Sequence, residues 1–172
     1  MTAANFPACL NVILESEGGF ADLAGDPGGA TNHGVTLATW AGWVGHPVTI
    51  ADMEALTVAD VTPLYQADFW NVSHCPDLPS GVDLMVFDTA VNQGVGRGVR
   101  TLQKALGVNP DGAWGPITEA ALAASPPSLI IDEIAKVRTA YYESLPTFSR
   151  FGKGWLNRVA RTQGIAHQMA GA

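Results

Sequence analysis

The segment GVDLMVFDTAVN, residues 81–92, constrains the fold of this chain more than any other stretch. It is apolar on nearly every face of a helix, as expected for a helix that is buried in the middle of a bundle. A chain of 172 residues is long enough to bury one sizeable core around such a helix. We therefore predict that this segment is the core helix of the protein.

Apolar spacing elsewhere predicts further helices. The first covers about 8–17 and ends at the pair Gly18 and Gly19, and another falls within 57–70 with Thr57 as its cap. Pro63 lies in the second of these segments and makes a start later than Thr57 the alternative. The same spacing predicts helices at 97–106, at 118–123, at 129–145 and within 148–169.

The segment from Phe20 to Gly34 differs from its surroundings because it is rich in Gly, Asp, Asn and Pro. This composition predicts a shaped loop or a short β-hairpin. Helical spacing returns near Thr36. The predicted fold is therefore mainly α, with little strand.

Charge and composition exclude several classes of protein. The net charge is −7, with 9 basic and 16 acidic residues, which argues against nucleic acid as a partner. No run approaches the roughly 18 consecutive apolar residues that a membrane span needs, so membrane insertion is not expected. Residues 1–7 lack the basic and apolar pattern of a secretory signal peptide.

Cysteine and histidine spacing predicts neither a metal nor a cofactor. Cys9 and Cys75 are too few for a disulfide scaffold and lack CxxC spacing. We expect two buried thiols, with a single disulfide as the alternative. The four histidines show neither HxxxH nor HxH spacing, which argues against a zinc amidase or endopeptidase.

Glu17 is the candidate general acid. Leu10, Ile13 and Leu14 lie on one helical stripe, and Glu17 extends that stripe to the end of the predicted helix. Hydrolysis of a glycosidic bond needs a carboxylic acid that keeps its proton near neutral pH. Apolar surroundings and the negative end of a helix dipole both favour such a neutral carboxyl group. Glu15 points to the opposite face, and the alternative for Glu17 is a polar residue that merely ends a helix.

Asp26 and Thr31 lie downstream in the string AGDPGGATNHGVT, residues 24–36. Its glycines permit tight backbone turns close to a ligand. A glutamate followed by an aspartate and a threonine in a short hairpin suits lysozyme-like chemistry. Asp-Pro-Gly-Gly is also a good turn sequence without any chemistry, so a structural role for Asp26 stays open.

Five motifs follow one another along the chain: EGGF at 17–20, DPGGATNHGVT at 26–36, YQADFW at 65–70, VFDTAVNQG at 86–94 and FGKGWLNRV at 151–159. In this order they resemble the glycoside hydrolase 108 family of phage lysozymes and related prophage proteins. The resemblance implies a lysozyme-like helical bundle with a small β-hairpin or loop next to the catalytic helix, and Glu17 as the catalytic residue. The chain departs from the family at Leu23 and Ala24, where relatives often carry Asp-Pro. A second loop carboxylate is therefore not assigned there.

The stretch LQKALGVNPDGAWGPITEAAL, residues 102–122, is similar to the core of a peptidoglycan-binding repeat. The resemblance divides the chain into a catalytic muramidase region, 1–96, and a peptidoglycan-binding-like helical region, 97–172, packed into one globular body. A helix, a Gly-rich turn and a helix would pack equally well in a purely structural role.

Candidate substrate-binding residues lie outside the Gly-rich segment. Asn92 and Gln93 end the core helix and are candidates for hydrogen bonds to an N-acetyl group, with capping as the alternative. Tyr65 and Trp70 are candidates for stacking on sugar faces, although large aromatic residues are more often core. Three basic residues are candidates for pairing with the carboxylates of peptidoglycan: Arg97, Lys153 and Arg158.

The resemblance implies a peptidoglycan hydrolase that cleaves the β-1,4 bond between N-acetylmuramic acid and N-acetylglucosamine. Glu17 would be its general acid, and Asp26 and Thr31 would position water or stabilise charge. Peptidoglycan is the expected partner. As an endolysin, the expected monomer would leave the host cytoplasm through a holin, act on the wall in the periplasm and lyse the cell. The alternative setting is a secretion-system effector that is delivered to the periplasm of a neighbouring cell.

Two alternatives remain at this point. A lytic transglycosylase would use one glutamate and no water, and a non-catalytic wall-binding or secretion-assisting protein would not cleave the wall. An intact Glu17 argues against the second, because a binding module has no need of it. Retention or inversion at the anomeric carbon depends on the separation of the two carboxyl groups in space.

Overall fold

The computed structural model describes residues 5–22 and 29–171, and within them the fold is mainly α, as predicted. The helices are α1 Phe6–Glu17, α2 Leu37–Val44, α3 Ile50–Glu54, α4 Val58–Tyr65, α5 Val82–Gln93, α6 Val95–Ala105, α7 Pro116–Ala124, α8 Pro127–Glu143 and α9 Phe148–Ala170. A π-helical segment, Gln66–Asn71, and a 3-10 turn, Cys75–Asp77, follow α4. The strands β1 Thr31–Asn32 and β2 Val35–Thr36 pair in antiparallel register.

The start of α4 decides between the two possibilities that the sequence leaves open. α4 starts at Val58 and Thr57 is its cap, as predicted, because Thr57 and Asp60 form a capping box at its N-terminus. The Thr57 side chain accepts a hydrogen bond from the Asp60 N–H, and the Asp60 carboxylate accepts one from the Thr57 N–H. Pro63 is accommodated inside the helix, so the cap determines the start despite the proline.

The chain forms two compact units. The first contains residues 1–9 and 69–172, and the second contains residues 10–68. Among the described residues, no helix is long and apolar enough to cross a membrane.

The core of the first unit is α5, as the apolar run predicts. Every residue from Val82 to Ala90 is buried, and α6, α8 and α9 all contact this helix. Phe87 packs edge-on against Trp70, with ring centroids 5.2 Å apart, and Phe6 contacts both rings. The hydrophobic interior therefore surrounds α5 on all sides.

A buried ion cluster lies within this apolar core. The Asp88 carboxylate on α5 accepts a hydrogen bond from Arg138 on α8 at 2.6 Å, and others from Arg158 on α9 at 2.8 and 2.9 Å. The side chains of Asp88 and Arg138 are at most 1% exposed. Removing one partner of such a cluster leaves an uncompensated charge in the core, which is strongly destabilising. The cluster therefore joins three helices through one carboxylate.

Both cysteines are buried free thiols, as predicted. Burial, reinforced by the nearby Asp83 carboxyl, raises the pKa of the Cys9 and Cys75 thiols well above the ordinary range. Burial also raises the pKa of Asp83, although Asn5 and the backbone N–H groups of Gly81 and Leu84 donate hydrogen bonds to it. The two thiols thus remain protonated core side chains near neutral pH.

The second unit carries the β-hairpin predicted for the Gly-rich segment. His33 and Gly34 connect β1 to β2, and both have positive φ, 50° and 76°. A two-residue turn with φ above zero at both positions matches the twist of paired strands. The buried side-chain amide of Asn32 donates to the Met53 carbonyl at 2.9 Å and attaches the hairpin to α3.

We predict that Asp88→Asn lowers the free energy of unfolding by about 3–5 kcal/mol, because two arginines in the core lose their counter-charge. Urea unfolding monitored by tryptophan fluorescence measures this change. Asp77→Asn is the matched control, since the Asp77 side chain is 62% exposed and its variant should lose less than about 1 kcal/mol. Equal stability of Asp88→Asn and the unsubstituted protein would show that the cluster does not stabilise the fold.

Candidate active site

Glu17 is the last residue of α1, and Gly18 and Gly19 follow it, as the sequence predicts. Leu10 and Ile13 on the same stripe are buried, and Glu17 is half-buried. Glu15 is exposed. The helix therefore distinguishes its two glutamates by their surroundings, and Glu17 is the one that faces the protein.

The hairpin turn approaches Glu17 and Tyr65 closely at Gly34. A Cβ atom added to Gly34 would lie 2.9 Å from Glu17 Cγ and 2.6 Å from the Tyr65 hydroxyl oxygen. Both distances are shorter than ordinary contacts, so a side chain at this position would displace one of its neighbours. Gly34 is thus required for the close packing of the hairpin on the end of α1.

Tyr65, at the end of α4, fixes the same turn from its other side. Its hydroxyl donates a hydrogen bond to the His33 carbonyl at 2.8 Å, and the residue is only 2% exposed. The ring is therefore not available for stacking on a sugar, contrary to the sequence-based expectation. Tyr65 instead positions the backbone that contacts Glu17.

Thr31 lies on β1 and is half-buried. Its backbone pairs with Ala21 through two N–H to carbonyl hydrogen bonds of 2.8 Å. This bridge joins the two ends of the segment that carries Asp26. Asp26 itself belongs to residues 23–28, which lie outside the described residues, so its catalytic role stays a prediction.

A shallow depression of about 460 Å³ opens beside the end of α1. Its lining includes Asn11, Leu14, Glu15, Gly18 and His33. Glu17 is not among the described residues that line it, although it lies between Glu15 and Gly18 in the chain. The depression offers a ligand access to the helix end. Glu15 lies on its wall, so experiments must separate the contribution of Glu15 from that of Glu17.

His33 is a residue that sequence reasoning missed. It adopts a positive φ, lines the depression and places Nε2 3.2 Å from the Leu56 carbonyl. The signal was the dipeptide His-Gly between two short extended stretches, which is compatible with a hairpin turn. Because the His side chain is anchored to the backbone of Leu56, it helps to hold the turn.

Trp70 is removed from the candidate sugar-binding residues. It is 1% exposed and packs between Phe6 and Phe87 in the core of the first unit, so neither ring face is available. Arg158 is also removed from the candidates for pairing with peptidoglycan carboxylates, because its guanidinium binds Asp88. Trp70 is therefore a core residue and Arg158 is part of an ion pair.

Asn92 and Gln93 lie at the C-terminal end of α5 in the first unit. The exposed Asn92 accepts a hydrogen bond from the Tyr142 hydroxyl. Both polar atoms of the Gln93 amide are buried and have no hydrogen-bond partner among the described residues. Contact of either residue with the substrate of Glu17 stays a prediction.

No group of three or more potential metal-ligating side chains occurs in the described part of the chain.

We predict that Gly34→Ala destabilises the protein more than Gly45→Ala does. Both glycines have φ of 76°, but a Cβ at Gly45 would meet none of the described residues within 4 Å. The left-handed conformation alone costs an alanine about 1–2 kcal/mol. Urea unfolding of the two variants measures the additional cost of crowding Glu17 and Tyr65. An equal loss in the free energy of unfolding for the two variants would show that the close approach at Gly34 does not affect stability.

Comparison with known proteins places these features in one family. The family described as glycosyl hydrolase 108 matches residues 10–94, and the family described as a predicted peptidoglycan domain matches residues 97–160. The twelve matching chains of solved structures include Brucella abortus SagA, which is 41% identical. That comparison covers 97% of this chain and 96% of SagA, with a TM-score of 0.85.

The comparison with curated proteins gave no match. The two family matches together support a lysozyme-like glycoside hydrolase function on peptidoglycan, with peptidoglycan as the ligand. The first match includes Glu17, the hairpin and Tyr65, and the mainly α fold agrees with it. The chain belongs to the glycosyl hydrolase 108 family.

Proposed function

We propose that this protein is a muramidase that hydrolyses the β-1,4 bond between N-acetylmuramic acid and N-acetylglucosamine in peptidoglycan. The observation that supports this most strongly is the half-buried Glu17 at the end of α1, packed against the turn at Gly34. A carboxyl group held at a helix end beside an accessible depression suits a general acid. The family match over residues 10–94 supports the same reaction class.

Glu17 donates a proton to the glycosidic oxygen as the bond to the leaving sugar breaks. An oxocarbenium-like centre then develops at the anomeric carbon. Asp26 stabilises this charge or activates the attacking water, and the Thr31 hydroxyl orients that water. Tyr65 contributes indirectly, because its bond to the His33 carbonyl keeps the hairpin against Glu17.

We also propose where the enzyme acts. The enzyme is an endolysin, acting as a monomer, that passes from the host cytoplasm through a holin to the periplasm and lyses the cell by cutting its wall. A lytic transglycosylase is the alternative chemistry at the same site. It would use Glu17 without water and leave anhydro ends.

We predict that Glu17→Gln keeps the fold and the binding to cell walls but lowers lytic activity by at least roughly a hundredfold, the effect typical of losing a general acid. Loss of turbidity of permeabilised Gram-negative cells measures the activity. Glu15→Gln is the matched control and should be nearly silent, although Glu15 lines the depression and Glu17 is not among its lining residues. Near-normal activity of Glu17→Gln, or a large loss in Glu15→Gln, would remove Glu17 from its assigned role.

We predict that Asp26→Asn lowers turnover strongly while the melting temperature stays close to that of the unsubstituted protein, because the carboxylate acts on the transition state. Thr31→Ala should give a smaller loss of the same kind, since a hydroxyl orients water but carries no charge. A thermal melt beside the activity assay separates catalysis from folding. A lowered melting temperature, with activity lost only in proportion to unfolding, would make Asp26 a turn residue.

A further inference from the structure

A second candidate site lies in the first unit, in a groove of about 660 Å³ between α6 and α8. Arg97, Arg100 and Lys104 from α6 line one wall, and Tyr141 on α8 belongs to the other. The volume falls within the range of roughly 300–1,000 Å³ that is typical of ligand pockets. None of the described residues that line this groove is acidic.

The charge of the groove contrasts with the charge of the protein. The chain carries 9 basic and 16 acidic residues, and three of the basic ones line this groove. All three are exposed, and among the described residues none of them forms an ion pair with a carboxylate. Arg100 does lie near Asp111, but the carboxylate of Asp111 accepts hydrogen bonds from Gln103 and Ala113. Within the described residues, Arg97 and Lys104 are therefore cations without an ion-paired carboxylate, whereas Arg100 has Asp111 near it.

Aromatic and amide groups give this site a defined shape. The Arg97 guanidinium lies 4.0 Å from the centre of the Tyr141 ring, so a cation–π contact holds it on the wall. Gln93 lines the same groove, and both polar atoms of its amide lack a hydrogen-bond partner in the described part of the chain. A buried amide without a partner is unfavourable, and a rotation of Gln93 toward a bound ligand would satisfy it.

The spacing of the three cations suits an extended ligand that carries several carboxylates. Arg97, Arg100 and Lys104 are three and four residues apart, so they share one face of α6 and span about 10 Å. An extended peptide covers the same length in about three residues. Guanidinium groups bind carboxylates through paired hydrogen bonds. Residues 97–160, which the predicted peptidoglycan domain matches, contain all four residues named for the two walls.

We propose that this groove binds the carboxylates of the peptidoglycan stem peptide, while the depression beside Glu17 receives the glycan. The inference rests on the proposed function for the identity of its ligand. Arg97 and Lys104 bind separate carboxylates, Tyr141 packs against the aliphatic part of the peptide, and Gln93 bonds to its backbone. Substrate selection then depends on the peptide as well as on the sugar.

Ligand binding is measured in the Glu17→Gln protein, in which no cleavage is expected. The result for the groove is therefore independent of whether the hydrolase proposal holds. The probes are a reduced disaccharide-tetrapeptide, which carries several carboxylates, and chitotetraose, which carries none. Isothermal titration at low salt measures both affinities. Arg97→Gln with Lys104→Gln should weaken binding of the disaccharide-tetrapeptide at least tenfold and leave chitotetraose binding unchanged.

The matched control removes two charges from exposed residues outside the groove, Lys136→Gln with Arg150→Gln, and should keep the affinity within twofold. If Arg97→Gln disturbs the fold, Lys104→Glu alone reverses one exposed charge and should still weaken binding of the disaccharide-tetrapeptide. Unchanged affinity in the groove variants, or equal affinity of the parent for both probes, would overturn the proposal. Displacement of the disaccharide-tetrapeptide by inorganic phosphate as effectively as by free stem peptide would also overturn it, because the groove would then be a general anion site.

Discussion

The Asp88 carboxylate, held between Arg138 and Arg158, is the contact on which the first unit most depends. Two guanidinium groups and one carboxylate have left water, and their mutual attraction offsets that cost only when the geometry is good. This requirement specifies how α8 and α9 sit on the core helix α5, whereas apolar packing alone tolerates many arrangements. The position of α8 in turn places Tyr141 opposite the basic face of α6, so the cationic groove depends on the buried cluster.

The second unit is organised by a close approach rather than by charge. The turn at Gly34 contacts the stem of Glu17 because no side chain intervenes, and Tyr65 holds that turn through the His33 carbonyl. Asn32 attaches the same hairpin to the backbone of α3. The candidate acid therefore lies at the junction of α1, the hairpin and α4, where small backbone shifts are resisted by three independent contacts. Such rigid positioning is what general acid catalysis requires.

Much of this arrangement could be predicted from the sequence because it depends on local patterns. The apolar run at 81–92 predicts the core helix, and the stripe that includes Ile13 distinguishes Glu17 from Glu15. The structure confirms both features. Long-range contacts were harder to predict. The burial of Trp70 and the pairing of Arg158 with Asp88 depend on which elements meet, and no periodicity within one segment reports that. The start of α4 also has a local cause, since the capping box at Thr57 outweighs Pro63.

Under the two proposals, the glycan binds in the depression beside Glu17 and the stem peptide binds in the groove at Arg97. The central claim is that the protein hydrolyses the bond between N-acetylmuramic acid and N-acetylglucosamine, with Glu17 as the general acid. Mass spectrometry of the fragments released from purified peptidoglycan tests this most directly. The proposed muramidase should release muropeptides that end in reducing N-acetylmuramic acid. Fragments with anhydro ends would indicate a transglycosylase, reducing N-acetylglucosamine ends would indicate cleavage of the other glycosidic bond, and absence of fragments would indicate a non-catalytic protein; each of these results would contradict the claim.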